Sequence, residues 1–155
     1  MGWVTLTARK QSLRLAINSH QMRDIELSRQ LRTNQRTSAY EQSIMKNNKA
    51  VELREIKNTL DEVKADRPED RDSEEYNEWY MEYQLAKEDY EAAKLEISEL
   101  YDDQLASLES EQSENEADIQ QEQTTVEAQL EALSAEFDVV KEQISKEIEN
   151  STIKL

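Results

Sequence analysis

Few side chains in this sequence could do chemistry, and the first candidate is His20 because it is the only histidine. A catalytic pair of histidines or a His-rich metal site therefore cannot be built within one chain. The chain has no Cys, which excludes thiolate metal sites and disulfides. Gly2 is the only glycine, which leaves no Gly-rich phosphate loop. We interpret His20 as a solvent-facing residue on a helix.

Closely spaced carboxylates are the second candidate, since they could hold a divalent cation. Four glutamates lie on neighbouring turns of a predicted helix: Glu74, Glu75, Glu78 and Glu82. A di-iron site in a helical bundle would add a histidine at helical spacing, and none accompanies them. A solvated acidic face is the simpler interpretation. We predict no catalytic residue, no metal site and no cofactor, and we expect a protein that is not an enzyme.

Aromatic side chains form the third candidate, a possible ligand box. They are Tyr76, Trp79, Tyr80, Tyr83 and Tyr90. Because residues separated by three or four positions share one face of a helix, we interpret them as a packing seam.

Positive charge is the fourth candidate, because it is concentrated at one end of the chain. Residues 1–50 hold nine Lys or Arg and three acids, whereas residues 66–155 hold seven basic and twenty-eight acidic residues. The basic face comprises Arg9, Lys10, Arg14, Arg23, Arg29, Arg32 and Arg36. We expect it to dock on acidic protein surfaces, in this chain or in another. Nucleic-acid binding is the less favoured alternative, because the net charge of −16 repels phosphates.

The elements that position these residues must be few and long, because the chain contains one Gly and one Pro. Compact folds with many turns need far more of both. Charged residues make up 35% of the chain and aromatic residues 6%, which is typical of narrow seams between helices. We therefore predict an all-α fold with long helices in a coiled-coil or helical-hairpin arrangement and no β-sheet.

Pro68 marks the one clear break, within residues 65–73. It predicts that a first helix over about residues 5–64 ends there and that a second one starts near Pro68, with Asp72 and Glu75 as a capping box. The expected packing seam of this hairpin comprises Leu53, Ile56, Leu60, Val63, Trp79, Tyr83, Tyr90, Ile97 and Leu100. Their separations are mostly three and four residues, as in a coiled coil.

Two polar stretches interrupt the apolar pattern. Residues 32–38 could break or kink the first helix, so that the segment before them docks separately. Residues 112–118 allow either a continuous helix or a second corner, and we favour a corner or strong bend near 110–115 because polar stretches bury nothing. The predicted segments are a basic helical segment 1–36, a helix 1 continuation 37–67, an acidic aromatic-rich helix 2 over 68–112, a coiled-coil helix 3 over 113–149 and a tail 150–155.

The third predicted helix carries the most regular heptad pattern of the chain. Its seam comprises Ile119, Val126, Leu130, Leu133, Phe137, Val140, Ile144 and Ile148. Gln123 occupies one seam position, and a polar seam residue can specify register or oligomeric state. We predict that the chain forms homo-oligomers through this seam.

The beginning MGWVTLTARKQSLRLAIN and the terminal NSTIKL resemble small proteins of tailed, crAss-like bacteriophages. The resemblance implies a virion structural or assembly role near the capsid, portal, neck or tail, alongside other structural proteins. An assembly scaffold or chaperone-like factor is an alternative. No apolar run is long enough to span a membrane and no signal peptide is evident, so we expect the virion or the host cytoplasm as its location.

Overall fold

Two long helices account for nearly all of the computed structural model, which describes residues 2–153. Helix α1 spans Trp3–Ala65, which is 63 residues, and helix α2 spans Glu74–Ile153, which is 80 residues. Within the described range no residue lies in a β-strand. The predicted all-α fold of long packed helices is confirmed.

Helix α1 ends where the sequence predicts a break. The last turn tightens, because the Asp66 amide donates to the Val63 carbonyl oxygen, three residues back, at 3.3 Å. Pro68 follows two residues later, and its ring excludes a continuing helix.

Helix α2 begins at Glu74, six positions after Pro68, and is capped by Ser73. Ser73 Oγ accepts a hydrogen bond from the Tyr76 amide at 3.1 Å and donates one to the Asp70 carbonyl oxygen at 2.7 Å. Asp70 Oδ1 accepts from the Asp72 amide at 3.1 Å. The predicted start near Pro68 and the Asp72 capping box are therefore wrong, because this turn holds Asp72 outside the helix.

Both helices continue through the polar stretches. Residues 32–38 are helical within α1, and residues 110–118 are helical within α2. The second corner that we favoured is wrong, because Gln and Glu dominate 111–116 and are good helix formers, and neither Gly nor Pro interrupts them. Predicted helices 2 and 3 are one helix. The predicted tail 150–155 begins inside α2, and its last two residues lie outside the described range.

The chain forms two compact units. Unit 1 combines Met1–Gln35 with Ser113–Leu155, and unit 2 is Arg36–Gln112. Each unit therefore pairs a stretch of α1 with a stretch of α2, and within each unit the two stretches run antiparallel.

Unit 1 contains two small apolar clusters between its helices. In the first, Leu6, Leu13 and Val140 are buried and are flanked by Leu133, Phe137 and Ile144. In the second, Leu27, Ile119 and Val126 are buried and are flanked by Leu31 and Leu130. Leu13 and Leu27 are 2% and 0% exposed, which makes them the most deeply buried side chains of the described residues.

Unit 2 is organised around Trp79 next to the hairpin connection. Its indole Nε1 donates to the Val63 carbonyl oxygen at 2.7 Å, near the end of α1. Its ring lies 5.4 Å from that of Tyr76 and stacks on that of Tyr83 at 5.3 Å. The Val63 carbonyl oxygen, which also accepts from the Asp66 amide, therefore receives two donors at the C-terminus of α1.

The cap predicts the effect of Ser73→Ala. We expect the free energy of unfolding to fall by about 1 kcal/mol, because an N-cap side chain satisfies an amide that otherwise lacks a partner. Urea titration followed by circular dichroism measures the change. Ser107→Ala, at an exposed position inside α2, is the matched control, and an equal loss in both variants would contradict this role of Ser73.

Candidate interaction surfaces

The α1 side of the unit 1 seam is a continuous heptad stripe that includes polar residues. Its buried and half-buried members are Leu6, Lys10, Leu13, Ile17, His20, Asp24, Leu27 and Leu31. Successive members are separated by three or four residues, as one face of a helix requires. Lys10, His20 and Asp24 interrupt the apolar residues, so the pattern of apolar residues in the sequence is irregular although the structural stripe is regular.

His20 belongs to this seam and is half-buried, so its interpretation as a solvent-facing residue is wrong. Its Nδ1 lies 2.8 Å from the Ala16 carbonyl oxygen, which can only accept, so this nitrogen carries a proton. Its Nε2 lies 3.0 Å from the Gln129 side-chain amide on α2. An amide offers both a donor and an acceptor, so His20 links the two helices whether its ring is neutral or charged.

A second polar link in unit 1 joins Ser28 and Gln123. Gln123 Nε2 donates to Ser28 Oγ at 2.9 Å. Gln123 is the polar seam residue that the sequence singles out, and its partner lies in the same chain. The two side chains can bond only when Ser28 and Gln123 lie opposite each other along the seam, so the pair favours one register of the two helices.

The heptad residues of the third predicted helix face the same chain. Ile119, Val126 and Val140 are buried against α1, and Leu130, Leu133, Phe137 and Ile144 pack around them. Ile148 is 51% exposed. Residues 1–35 thus supply the partner that we expected from a second copy. Self-association through this seam would have to displace α1 or add to the narrow edges that it leaves open.

The hairpin seam of unit 2 brings most of its predicted residues between the two helices. Trp79 is buried, and Leu53, Ile56, Leu60, Val63, Tyr83, Tyr90 and Ile97 are half-buried. Leu100 is 53% exposed, so its place in the predicted seam is wrong. Tyr101 takes that place, because the seam advances by four residues from Ile97 and then by four more to Leu105.

Polar groups also cross the seam of unit 2. Ser38 is 6% exposed, and its hydroxyl donates to Gln112 Oε1 at 2.5 Å. Lys49 Nζ pairs with Asp102 Oδ1 at 3.1 Å. Tyr101 Oη donates to Glu52 Oε1 at 3.0 Å. Of these three links, the Ser38–Gln112 bond lies in the polar stretches, where both of its hydrogen-bonding groups are satisfied.

Small residues leave a groove of about 230 Å³ in the same seam. Its lining includes Ile56, Thr59 and Leu60 on α1 and Ala86, Tyr90 and Ala93 on α2. The two alanines are too small to fill the space beside Tyr90.

The basic face is divided between residues with acidic partners and residues without them. Arg9 Nε lies 3.1 Å from Glu136 Oε1, and Arg23 Nε lies 2.9 Å from Glu122 Oε1, in both cases across the seam. The bond to Glu122 raises the pKa of Arg23. These pairs are exposed, so solvent screens them and each contributes little to stability. We expected the basic face to dock on acidic surfaces of this chain or of another, and these pairs support docking within the chain.

The other basic-face residues have weaker contacts or none. Lys10 Nζ lies 5.8 Å from the centre of the Phe137 ring, and Arg32 Nε lies 3.5 Å from the Ser28 carbonyl oxygen. Within residues 2–153 no ion pair involves Arg14, Arg29 or Arg36, and all three are exposed.

The acidic face at the start of α2 has no metal-binding arrangement. Among the described residues no three His, Cys, Asp or Glu side chains are grouped to hold an ion. Neither helix, over the residues described, has a stretch long and apolar enough to cross a membrane.

Two apolar stripes lie on helix faces directed away from the seams, and none of their residues is among the interface residues predicted from the sequence. The α1 stripe consists of Leu15, Met22 and Ile25, which are 70%, 71% and 61% exposed. The α2 stripe consists of Met81, Leu85 and Leu95, which are 69%, 63% and 62% exposed. A heptad plot of α1 places Leu15 on the face opposite Leu13, and this is the signal that could have identified the α1 stripe.

No family model, no curated protein and no solved structure matches this chain.

Two adjacent valines test the assignment of the unit 1 seam. Val140 is 6% exposed and Val139 is 52% exposed. We expect Val140→Ala to lower the free energy of unfolding by about 1–2 kcal/mol, and Val139→Ala to change it by less than about 0.5 kcal/mol. Both substitutions gain the same helix propensity, so their difference in a urea titration reports burial alone. Equal effects would mean that this face of α2 does not pack on α1.

The bond between Tyr101 and Glu52 predicts a pH dependence. Partial burial and then the hydrogen bond to Glu52 raise the pKa of Tyr101. The neutral phenol stabilises the fold fully below the unfolded-state pKa of about 10, and this contribution is lost as the pH rises through the higher folded-state pKa. Tyrosinate absorbance should show one late-titrating tyrosine, absent in Tyr101→Phe and retained in Tyr80→Phe. A late step that survives in Tyr101→Phe would refute the assignment.

Proposed function

We propose that this protein is a non-enzymatic structural protein that self-associates as a coiled-coil building block of a larger assembly. The observation that carries the proposal is the amount of surface that one chain leaves in water. Its accessible area is 11785 Å² for 18.2 kDa, whereas a compact monomer of that mass exposes about 8,100 Å².

The same excess appears as a deficit of burial. Relative to an unfolded chain of 18.2 kDa, folding removes about 55% of the accessible surface. A domain of about 150 residues ordinarily buries about 68–70%. A second copy that covers more of these helices would supply the missing burial.

The apolar stripes indicate where such burial is available. Heptad residues 119–148 already pack on α1, so they leave little apolar surface for contact with a second copy. The α1 and α2 stripes expose six large apolar side chains by more than 60% each. Single exposed apolar residues are common on proteins, but helical stripes of them are typical of surfaces that bind another helix.

A virion component is the assembly that we favour, on the resemblance of the residues at both ends to small tailed-phage proteins. Capsid, portal, neck and tail are all built from repeated copies, which suits a chain that self-associates. The place of such a protein would be the virion or the host cytoplasm. An assembly scaffold with exchanging contacts is the alternative within the same class.

Nucleic-acid binding receives less support from the surface charges. Arg9 and Arg23 are paired with Glu136 and Glu122, which places carboxylates beside them. Each carboxylate offsets the charge of its arginine and repels a phosphate that approaches the same side chain.

The mass in solution tests the proposal. Light scattering after size separation, over a range of concentrations and at two salt concentrations, should give more than the 18.2 kDa of one chain. A fixed multiple at all concentrations supports a permanent structural subunit, whereas a mass that falls on dilution supports an exchanging scaffold. A mass of one chain throughout the range would refute self-association.

A further inference from the structure

We propose that the α1 stripe of one copy docks on the α2 stripe of another copy. The inference rests on the proposed self-association and names the two surfaces that perform it. Each stripe is apolar and exposed, and it lies on a helix face directed away from the seam of its own unit.

Part of the exposed α2 face matches the spacing of the α1 stripe, with Ala92 taking the place of Met81. Leu15, Met22 and Ile25 are separated by seven and three residues. On α2, Leu85, Ala92 and Leu95 are separated by the same intervals, and Ala92 is exposed like its neighbours. Side by side in parallel, Met22 would lie opposite Ala92, so a large side chain meets a small one. Both helices therefore present apolar groups at the same heights.

The charges around the two stripes are opposite. Residues 9–36 contain seven basic and two acidic residues, whereas residues 78–99 contain seven acidic and two basic residues. In the α1 stretch, Arg14 and Arg29 lie beside the stripe without an ion pair in the described range. None of the acidic residues in 78–99 forms an ion pair there either.

This distribution selects the pairing of unlike stripes. Two α1 stripes would bring arginines together, and two α2 stripes would bring glutamates together, and like charges at an interface cost affinity. When one α1 stripe packs on one α2 stripe, the apolar side chains are buried and the surrounding charges are opposite in sign. A second copy of this chain carries both stripes, so it provides the required partner.

The resulting contact is heterologous, because the two surfaces differ. Each copy then has one surface of each kind and can bind two neighbours. Such contacts produce closed rings or open chains of subunits.

A complementation experiment tests the pairing. One variant carries Met22→Gln and Ile25→Gln, and the other carries Leu85→Gln and Leu95→Gln, so that neither variant changes net charge. Each variant alone lacks one of the two surfaces, and we expect its self-association to weaken about a hundredfold, about tenfold for each apolar side chain lost. Mixed in equal amounts, the two variants should form a heterodimer of twice the 18.2 kDa chain mass, because each retains the surface that the other lacks.

The controls separate this inference from self-association as such. Val139→Gln, an exposed position outside both stripes, should keep the wild-type mass, and circular dichroism should show equal helix content in all variants. Added salt should weaken the wild-type assembly, since opposite charges attract across it. Wild-type assembly with both stripe variants still associated, or with no heterodimer in the mixture, would overturn the pairing while leaving self-association in place. A monomeric wild-type protein would overturn both.

Discussion

The contact between antiparallel stretches of α1 and α2 within each unit is the constraint on which the structure depends. Charged residues make up 35% of the chain, and exposed helical turns on their own add little stability. The narrow apolar seam between the two helices must therefore supply most of the stabilisation. That seam is thin: among the residues that the structure describes, Leu13 and Leu27 are the largest fully buried side chains. Because so little is buried, each seam position has a large effect on stability.

Polar residues in the seam therefore need an explanation. Ser28 pairs with Gln123 in unit 1, and Ser38 pairs with Gln112 in unit 2. Apolar residues at these positions would add burial, yet a uniformly apolar stripe also permits helices to slide by a heptad. A polar group that loses its partner after such a shift costs about 1–3 kcal/mol. The polar links thus exchange some stability for a defined register.

The class of fold was predictable because Gly and Pro are so scarce, and the break at Pro68 because proline cannot continue a helix. The partner of residues 119–148 was not predictable in the same way. On α1, the seam residues Leu13 and Leu27 are interleaved with the exposed Leu15 and Ile25, and hydrophobicity alone does not tell the two faces apart. Seam positions such as His20 also look like surface positions. At the cap, Ser73 and Asp72 are equally suitable by type, and only the turn made by Asp70 decides between them.

The separation of charge along the chain explains how a protein with a net charge of −16 could associate with itself. At physiological salt, charges further apart than about 8 Å are largely screened, so an interface responds to its local charges more than to the total. Part of the basic charge is matched within the chain, as Arg9 and Arg23 show. The part that remains, at Arg14 and Arg29, lies beside the exposed stripe of α1. Acidic residues without ion pairs surround the stripe of α2. An even distribution of the same charges would repel at every pair of faces, so the segregation itself makes one pair of faces attractive.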